Sequence, residues 1–224
     1  MGMTIAEKIL QAHTDTPEFK PGDIIRVNVD VALANDITAP IAIEAFNRSG
    51  LNRVADRSKV VFVLDHFTPN KDIASANQCK MVRDFAREHG IENFFDGGDV
   101  GVEHALLPEK GLVLPGDFII GADSHTCTYG AMGAFATGVG STDLAAAIMT
   151  GQAWMKVPST MKFTFKGELQ PWVGGKDLIL YLIGDIGVDG GLYHVLEIDG
   201  EAVSSLDLSN RLTMSNMAIE AGAK

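Results

Sequence analysis

Short apolar segments alternate with helix-like segments along this chain, and this alternation limits the folds that the chain can adopt. The segments KVVFVLDHF (59–67) and DFIIGAD (117–123) have the apolar residues of buried strands and close on polar residues. Residues 73–89 lie between them with a helical spacing of apolar residues, and Gly90 follows as a helix stop. This order predicts a layered α/β fold with a largely parallel sheet and flanking helices.

The same patterns continue along the rest of the chain. Thr4 and Glu7 have the spacing of a helix capping box, and Pro40 is tolerated in the first turn of a second helix. Residues 101–111 are expected to form a helical turn and a loop. Periodicity predicts further strands at 23–33, 91–98, 161–169 and 193–200, and further helices at 3–13, 38–47, 140–153, 175–187 and 208–224.

The character of the sequence changes near Val157 and Pro158, which predicts a domain boundary near residue 156. We expect residues 1–156 to form a complete first domain and residues 157–224 to begin a second domain that is not closed. An unclosed domain would expose apolar surface along the helix at 211–223. Exposed apolar surface of this kind favours self-association of the chain.

The charge and the cysteine content restrict the partners and the compartment. Eighteen basic residues stand against 29 acidic ones, and the net charge of -11 disfavours a general nucleic-acid-binding surface. The two cysteines, Cys79 and Cys127, are far apart in sequence, which fits a reducing compartment rather than a disulfide framework. Glu7 and Lys8 fall where a signal peptide would be apolar, and the longest apolar runs are too short to cross a bilayer. We therefore expect a cytoplasmic protein without a membrane partner.

Polar residues follow the predicted strands at the point where each strand ends. They are Asn35-Asp36, Asp65-His66 and Asp123-Ser124-His125, and His104 lies between two of the strands. Ligands of parallel α/β sheets bind outside the carboxyl ends of the strands, so we expect these clusters to share one crevice. A carboxylate bound to one histidine nitrogen raises the proton affinity of the other, as a general acid requires. Neighbours on a strand point in opposite directions, so Asp65 can bind His66 only if the chain bends there.

The stretch GADSHTCTYGAMGAFATGVGSTD (121–143) also has closely spaced glycines, namely Gly130, Gly133, Gly138 and Gly140. Such spacing lets other groups approach the backbone closely. Gly138-Val139-Gly140 is also a weak dinucleotide-binding fingerprint, but the third glycine and a preceding strand are missing.

Other readings of these residues stay open at this point. Asp123-Ser124 has the residue types of a helix cap. A serine hydrolase is compatible with the residue types, yet the G-x-S-x-G elbow is absent from the sequence. His66, His104 and His125 are suitable zinc ligands without diagnostic spacing. We interpret the other histidines as structural: His13, His89 and His194.

Several segments together resemble the aconitase superfamily, and in particular the large subunits of its two-subunit dehydratases. The resemblance rests on NDITAP (35–40), DH (65–66), VEH (102–104) and the run from ADSHT (122–126) to GQAW (151–154). Matching blocks continue through VPSTMKFTFKGELQPWVGGKDLILYLIGDIGVDGG, HVLEIDG and RLTMSNMAIEAGAK, so the resemblance covers essentially the whole chain.

The resemblance implies an enzyme of leucine biosynthesis that dehydrates a hydroxy diacid to an alkene diacid and rehydrates it at the neighbouring carbon. Asp65 and His66 would be the paired acid that protonates the departing hydroxyl group. His104 would be a second active-site histidine, and Glu197 would be its carboxylate partner. The remaining residues would hold the hydroxyl group or bound water (Asp123 and His125, with Ser124 beside them) or line the substrate pocket (Asn35 and Asp36).

The family also uses a [4Fe-4S] cluster, which three cysteines hold, and a separate small subunit. This chain has only Cys79 and Cys127, so we expect no cluster ligands in it. We therefore expect an N-terminal portion of a large subunit that is inactive alone. A homoaconitase-type hydro-lyase and a folded fragment without catalytic activity are the alternatives.

Overall fold

The computed structural model describes residues 2–224, and its centre is a five-stranded parallel sheet. The strands of the chain are β1 (Ile24–Asn28), β2 (Val31–Asn35), β3 (Val60–Val63), β4 (Asn93–Phe95), β5 (Phe118–Gly121), β6 (Phe135–Gly138), β7 (Gln152–Lys156), β8 (Ser159–Thr164) and β9 (His194–Asp199). The central sheet has the order β4-β3-β2-β5-β6, with every neighbouring pair parallel. The predicted α/β fold with a largely parallel sheet is confirmed.

Helices connect these strands. They are α1 (Ile5–Ala12), α2 (Ala39–Ser49), α3 (Ile73–His89), α4 (Glu103–Glu109), α5 (Ser141–Thr150), α6 (Gly175–Ile186), α7 (Glu201–Ser204) and α8 (Leu208–Asn216). The capping box of Thr4 and Glu7 is present, and Gly90 ends α3 in the left-handed conformation, as predicted. The segment Ser124–Met132, which we call the 3-10 segment, is a 3-10 helix.

Both faces of the central sheet are buried because successive strand residues point to opposite faces. On β3, Val60 and Phe62 pack in the cluster that contains α2, α3 and α5. Val61 and Val63 point the other way, into a cluster with α4 and the 3-10 segment. This double burial explains why the strands read as continuous apolar runs in the sequence.

The strand order places a topological switch point between β2 and β5. After β2 the chain adds β3 and β4 on one side of the sheet, and after β4 it adds β5 and β6 on the other. Connections diverge at such a point and leave a crevice outside the carboxyl ends of the strands. The polar residues after β2, β3 and β5 therefore lie at the edge where a ligand site is expected.

The predicted strand at 23–33 is wrong in its extent, because two strands occupy this region. β1 pairs antiparallel with β7 in a separate two-stranded sheet, and only β2 enters the central sheet. The break occurs where the amide of Val29 donates to the carbonyl of Gly151 and the amide of Asp30 donates to the carbonyl of Phe118. β6 and β7 were not predicted, because the glycine-rich stretch was interpreted as a lead into one long helix.

Residues 159–224 have a smaller apolar cluster of their own, around Ile179, Leu182 and Met214. β8 and β9 form a parallel two-stranded sheet beside α6, α7 and α8. The buried residues of the main cluster end at Val157, although Val195 also packs against it, and the domain boundary near residue 156 stays a prediction. The helix predicted to continue to residue 224 ends at Asn216, and a 3-10 helix follows at Met217–Ala221.

The expected exposure of apolar surface along residues 211–223 is wrong. Met214, Ala218 and Ala221 are buried. The α8 segment packs against the 3-10 segment, and Asn216 Nδ2 donates to Thr128 Oγ1 at 2.9 Å. The proposed cause of self-association is therefore absent on this helix. Among residues 2–224, no helix combines the length and the apolar character that a bilayer crossing needs.

Asp30 ties three elements together at the amino-terminal edge of the sheet. Its Oδ2 accepts from the Phe118 amide at 3.0 Å and lies 2.6 Å from His13 Nε2. Its Oδ1 accepts from Lys59 Nζ at 3.2 Å. Burial opposes ionisation, but the amide of Phe118 and the charges of Lys59 and His13 keep the pKa of Asp30 below its usual value.

Replacing Asp30 by asparagine should lower the free energy of unfolding by about 2 kcal/mol, because hydrogen bonds to an ionised group are lost. The depressed pKa adds stability above the unfolded-state pKa, so the difference from the wild type should shrink as the pH falls through the folded-state pKa. Urea unfolding at several pH values measures both effects. The exposed Asp15→Asn is the control, and equal losses in the two variants would contradict this role.

Candidate active site

Asp36 anchors the site from beneath the carboxyl end of β2. Its carboxylate is completely buried, with Oδ1 accepting from the His66 amide at 3.2 Å and Oδ2 accepting from the Phe67 amide at 2.8 Å. These two bonds hold the chain in a bend after β3. Asp36 was predicted to line the substrate pocket, but its burial and its backbone bonds make it a support for the neighbouring loop.

The bend brings Asp65 and His66 into contact although they are sequence neighbours. Asp65 Oδ1 lies 2.6 Å from His66 Nδ1. Partial burial opposes charging of the ring. The hydrogen bond and the charge of Asp65, together with the charges of Glu103 and Asp36, nevertheless raise the pKa of His66 above its usual value. No hydrogen bond from the described residues reaches Nε2 of His66, which leaves this nitrogen for a ligand. The predicted aspartate–histidine pair is therefore formed.

His104 belongs to a second pair, on the β5 side of the switch point. Its Nε2 lies 2.9 Å from Asp123 Oδ1, and its Nδ1 lies 3.1 Å from the Tyr129 hydroxyl. The hydrogen bond from His104 keeps the pKa of Asp123 below its usual value. Tyr129 is buried, and burial raises its pKa well above the usual value. The sequence analysis assigned no role to Tyr129.

Asp123 also begins the 3-10 segment, since its side chain accepts from the His125 amide at 2.8 Å. The cap interpretation of this residue therefore applies, while its role in a site stays a prediction. Ser124 Oγ lies 3.2 Å from His125 Nδ1, and His125 Nε2 lies 3.4 Å from Glu220 Oε1. Because Ser124 and Asp123 both face the same His125 nitrogen, the three residues do not form the relay of a serine hydrolase.

Glu103 is a site residue that sequence analysis missed. It begins α4, is 1% exposed, and accepts from Asn35 Nδ2 at 3.0 Å through Oε1. Its Oε2 is buried without a hydrogen-bond partner. Burial raises its pKa to about 7, the hydrogen bond from Asn35 and the charge of His104 oppose this rise, and the charges of Asp65 and Asp123 add to it. The sequence signal that could have indicated this site residue is the pair Glu103-His104 at the start of a predicted helical turn.

Asn35 has a structural role similar to that of Asp36. Its Oδ1 accepts from the amides of Ile37 and Thr38 at 3.0 and 3.1 Å, which shapes the turn into α2. Since Asn35 is 1% exposed, it lies below the crevice instead of lining the substrate pocket as predicted.

Glu197, the predicted partner of His104, lies elsewhere. It is on β9 in the separate two-stranded sheet, opposite Lys162, whose Nζ is 4.0 Å from its Oε1. Both ring nitrogens of His104 are engaged by Asp123 and Tyr129. The predicted pairing is therefore wrong, because the strand that carries Glu197 does not extend the central sheet.

The closely spaced glycines allow the backbone contacts that the sequence indicated. A Cβ on Gly138 would lie 2.7 Å from the carbonyl oxygen of Asp123, and a Cβ on Gly121 would lie 2.1 Å from Thr126 Oγ1. Gly133 ends the 3-10 segment with φ of 82°, in the left-handed region. These glycines fit β5, β6 and the 3-10 segment closely around Asp123.

The same side chains include residue types that can bind a metal ion. Ligand atoms lie within 4.8 Å of one another in the group Asp36, Asp65 and His66 and in the group His66, Glu103 and Asp123. The hydrogen bonds within the cluster and to backbone amides account for this closeness, so we interpret it as a proton-handling network. Within the described part of the chain, His66, His104 and His125 do not bring their ligand atoms together in such a group, so the zinc alternative is not supported.

The cysteines do not fit an iron–sulfur cluster. Cys79 is buried on α3 within the main apolar cluster. Cys127 is buried in the 3-10 segment, and burial raises its pKa to about 11. A cluster needs several thiolate ligands at one place. These two thiols have different neighbours, Asn70 and Asp36 for Cys79 and the Asn216 carbonyl for Cys127.

This fold and this site define the class of the protein, which is a parallel α/β domain with histidine–carboxylate pairs at the switch point of its sheet. The chain belongs to the aconitase family, because the family model described as "Aconitase family (aconitate hydratase)" matches residues 7–224. The resemblance predicted from the motifs is confirmed.

Curated relatives are similar over the whole chain. It is 62% identical to the 3-isopropylmalate dehydratase large subunit of Halothermothrix orenii, covering 100% of this chain and 53% of that protein. It is 65% identical to the 3-isopropylmalate dehydratase large subunit 1 of Pyrococcus abyssi, again covering 100% and 53%. It is 66% identical to the large subunit of Desulfatibacillum aliphaticivorans, covering 100% and 54%. The chain spans about half the length of the curated relatives that it matches.

Replacing Asp36 by asparagine should lower the free energy of unfolding by about 3 kcal/mol, since the new amide group would face the buried amide of His66 or Phe67 as a second donor. Chemical denaturation measures the loss, and amide NMR signals of residues 65–67 should shift. The exposed Asp99→Asn serves as a control. A loss in Asp36→Asn no larger than the control's would contradict the anchoring role.

Replacing Gly138 by alanine should destabilise the chain by about 2 kcal/mol, because the new Cβ meets backbone atoms that cannot rotate away. Gly184 lies in α6 with open space around its Cβ position, so Gly184→Ala should be neutral or stabilising by about 0.5 kcal/mol. Thermal unfolding of both variants provides the comparison. Unchanged stability of Gly138→Ala, with unshifted amide signals at 123–125, would show that the contact is unimportant.

Proposed function

We propose that this chain provides the proton-handling side of the active site of a 3-isopropylmalate dehydratase of leucine biosynthesis, as part of its large subunit. The proposed reaction interconverts 2-isopropylmalate and 3-isopropylmalate by dehydration and rehydration. The observation that supports it best is the Asp65–His66 pair at the switch point, because its Nε2 is free within the described residues and its pKa is raised.

In the proposed reaction, His66 is the acid for the departing hydroxyl group. Asp65 binds Nδ1 and stabilises the charged ring, so the proton that can be transferred lies on Nε2. The raised pKa keeps a larger fraction of His66 protonated near neutral pH than an ordinary histidine would have. Loss of the hydroxyl group as water requires such a proton, and rehydration returns it by the same path.

The second pair and its neighbours hold the oxygen that leaves or returns. We assign His125 and Ser124 to contact with the hydroxyl group or water, since the His125 side chain is 38% exposed. His104 and Asp123 hold this part of the site in place from below, because Asp123 binds both the His104 ring and the His125 amide.

The [4Fe-4S] cluster and the small subunit of the proposed enzyme would be contributed from outside residues 1–224. The two buried thiols of this chain do not form a cluster site, so no step of the proposal passes through them. The name of the relatives, a large subunit, supports a small-subunit partner. We expect the 224-residue chain alone to show no turnover of 3-isopropylmalate.

A chimera tests the proposal. Residues 1–224 would replace the matching part of the Pyrococcus abyssi large subunit, which is 65% identical over that part, and the product would be combined with the small subunit. We expect the chimera to dehydrate 3-isopropylmalate, measured by absorbance of the alkene product. An inactive but folded chimera, beside an active parent enzyme, would refute the proposed function.

Replacing His66 by asparagine in the chimera should reduce kcat about 10²–10⁴-fold, the usual contribution of a general acid. Activity of the unchanged chimera should fall as the pH rises through the raised pKa of His66, because the acid form is lost. His194, at the start of β9 with its Nδ1 near the Leu192 carbonyl, is the control position, and His194→Asn should keep full activity. Equal activities of the two variants would contradict the assignment of His66 as the general acid.

A further inference from the structure

Glu103 lies against both histidine–aspartate pairs of the site. Its amide donates to Asp65 Oδ2 at 2.7 Å. Its carbonyl oxygen lies 3.4 Å from the Tyr129 hydroxyl, and its Oε1 lies 3.7 Å from His104 Nε2. Glu103 therefore connects the Asp65–His66 pair with the His104–Asp123 pair, which otherwise belong to different sides of the switch point.

The Glu103 carboxyl group has too few hydrogen-bond donors around it to stabilise a carboxylate. Oε1 accepts one hydrogen bond, from the Asn35 side-chain amide at 3.0 Å. Oε2 is buried and lacks a partner within the described residues. An ionised carboxylate with a bare buried oxygen is strongly disfavoured, whereas protonation of that oxygen removes the charge.

The charges around Glu103 favour the same state. The carboxylates that face it are Asp65 and Asp123, with Asp36 beyond them, and the groups that can oppose them are imidazoles. The Tyr129 hydroxyl faces it from the 3-10 segment. Within residues 2–224, the ion pairs of lysine and arginine all lie outside this cluster.

We propose that Glu103 is a proton-storing positioning residue, held as a neutral carboxylic acid in the resting site and coupled to both histidine–aspartate pairs. Loss of its proton adds a negative charge between the pairs, and the proton affinity of His66 rises in response. The titrations of Glu103 and His66 are therefore coupled, and their apparent pKa values belong to the pair of groups instead of to either residue alone. The inference concerns the folded chain alone and does not depend on the proposed function.

The first test is spectroscopic and uses the 224-residue chain. At about pH 5.5, below the pKa of about 7 that burial gives Glu103, the infrared carbonyl band of a neutral carboxylic acid should be present in the wild type. The intensity of this band should fall by about one carboxyl group in Glu103→Gln and stay unchanged in Glu109→Gln, which changes an exposed glutamate at the other end of α4. An unchanged intensity in Glu103→Gln would overturn the inference.

The second test follows stability with pH, and it remains decisive if glutamine fits the site imperfectly. The folded-state pKa of Glu103 is raised from 4.5 to about 7, so its contribution to stability is full below the unfolded-state value and is lost as the pH rises through the folded-state value. The melting temperature of Glu103→Gln relative to the wild type should therefore increase between about pH 4.5 and 7 and level off above it. Parallel curves would contradict the inference.

The third test measures coupling to the pairs. The imidazole NMR titration of His66 should move to lower pH in Glu103→Gln, because the neighbouring negative charge can no longer form. Glu109→Gln should leave this titration unchanged. An unchanged His66 titration in Glu103→Gln would show that Glu103 has only a structural role.

Discussion

The buried carboxylate of Asp36 is the interaction on which the site depends. It sits at the end of β2, beside the switch point, and binds two consecutive backbone amides of the loop after β3. Without this anchor the chain would continue in an extended direction, and Asp65 and His66 would point to opposite sides. Burying a charge is unfavourable unless hydrogen bonds compensate it, so the position is suited to a carboxylate and to few other side chains. The strand order places Asp36 beside the loop after β3, and the bonds of Asp36 to this loop then set the orientation of the His66 imidazole.

Much of the fold and part of the site could be predicted from the sequence. Apolar strands with polar ends predicted the sheet and the edge where Asp65, His66 and Asp123 meet, because the rule that places ligands at carboxyl ends concerns topology and needs no side-chain detail. The split between β1 and β2 could not be predicted, since it depends on β1 pairing with β7, far away in sequence. The pairing of Glu197 with His104 came from the resemblance, and the structure does not form it because β9 pairs with β8 outside the central sheet. Glu103 was missed because burial of a glutamate becomes visible only when the groups packed around it are known.

The carboxylates at the two edges of the central sheet face different kinds of positively charged groups. At the amino-terminal edge, the carboxylate of Asp30 faces Lys59, His13 and a backbone amide. At the carboxyl-terminal edge, three aspartates and Glu103 face only imidazoles and neutral donors. A lysine keeps its charge near neutral pH and fixes its partner, whereas an imidazole gains or loses a proton in this range. The first edge therefore includes a lysine that stays charged, whereas the second edge includes Glu103 and His66, whose pKa values are raised.

The packing of α8 on the 3-10 segment extends this dependence to the last part of the chain. Asn216 binds Thr128, and its carbonyl oxygen lies 3.6 Å from Cys127 Sγ. Glu220 reaches His125 Nε2, the nitrogen that faces away from Ser124. Thr128 Oγ1 also donates to the carbonyl of His125 at 2.6 Å. Movement of α8 together with the 3-10 helix that follows it would therefore be passed to both the backbone and the ring of His125. The smaller apolar cluster of residues 159–224 thus contributes to the site by positioning His125, although its own sheet carries none of the histidine pairs.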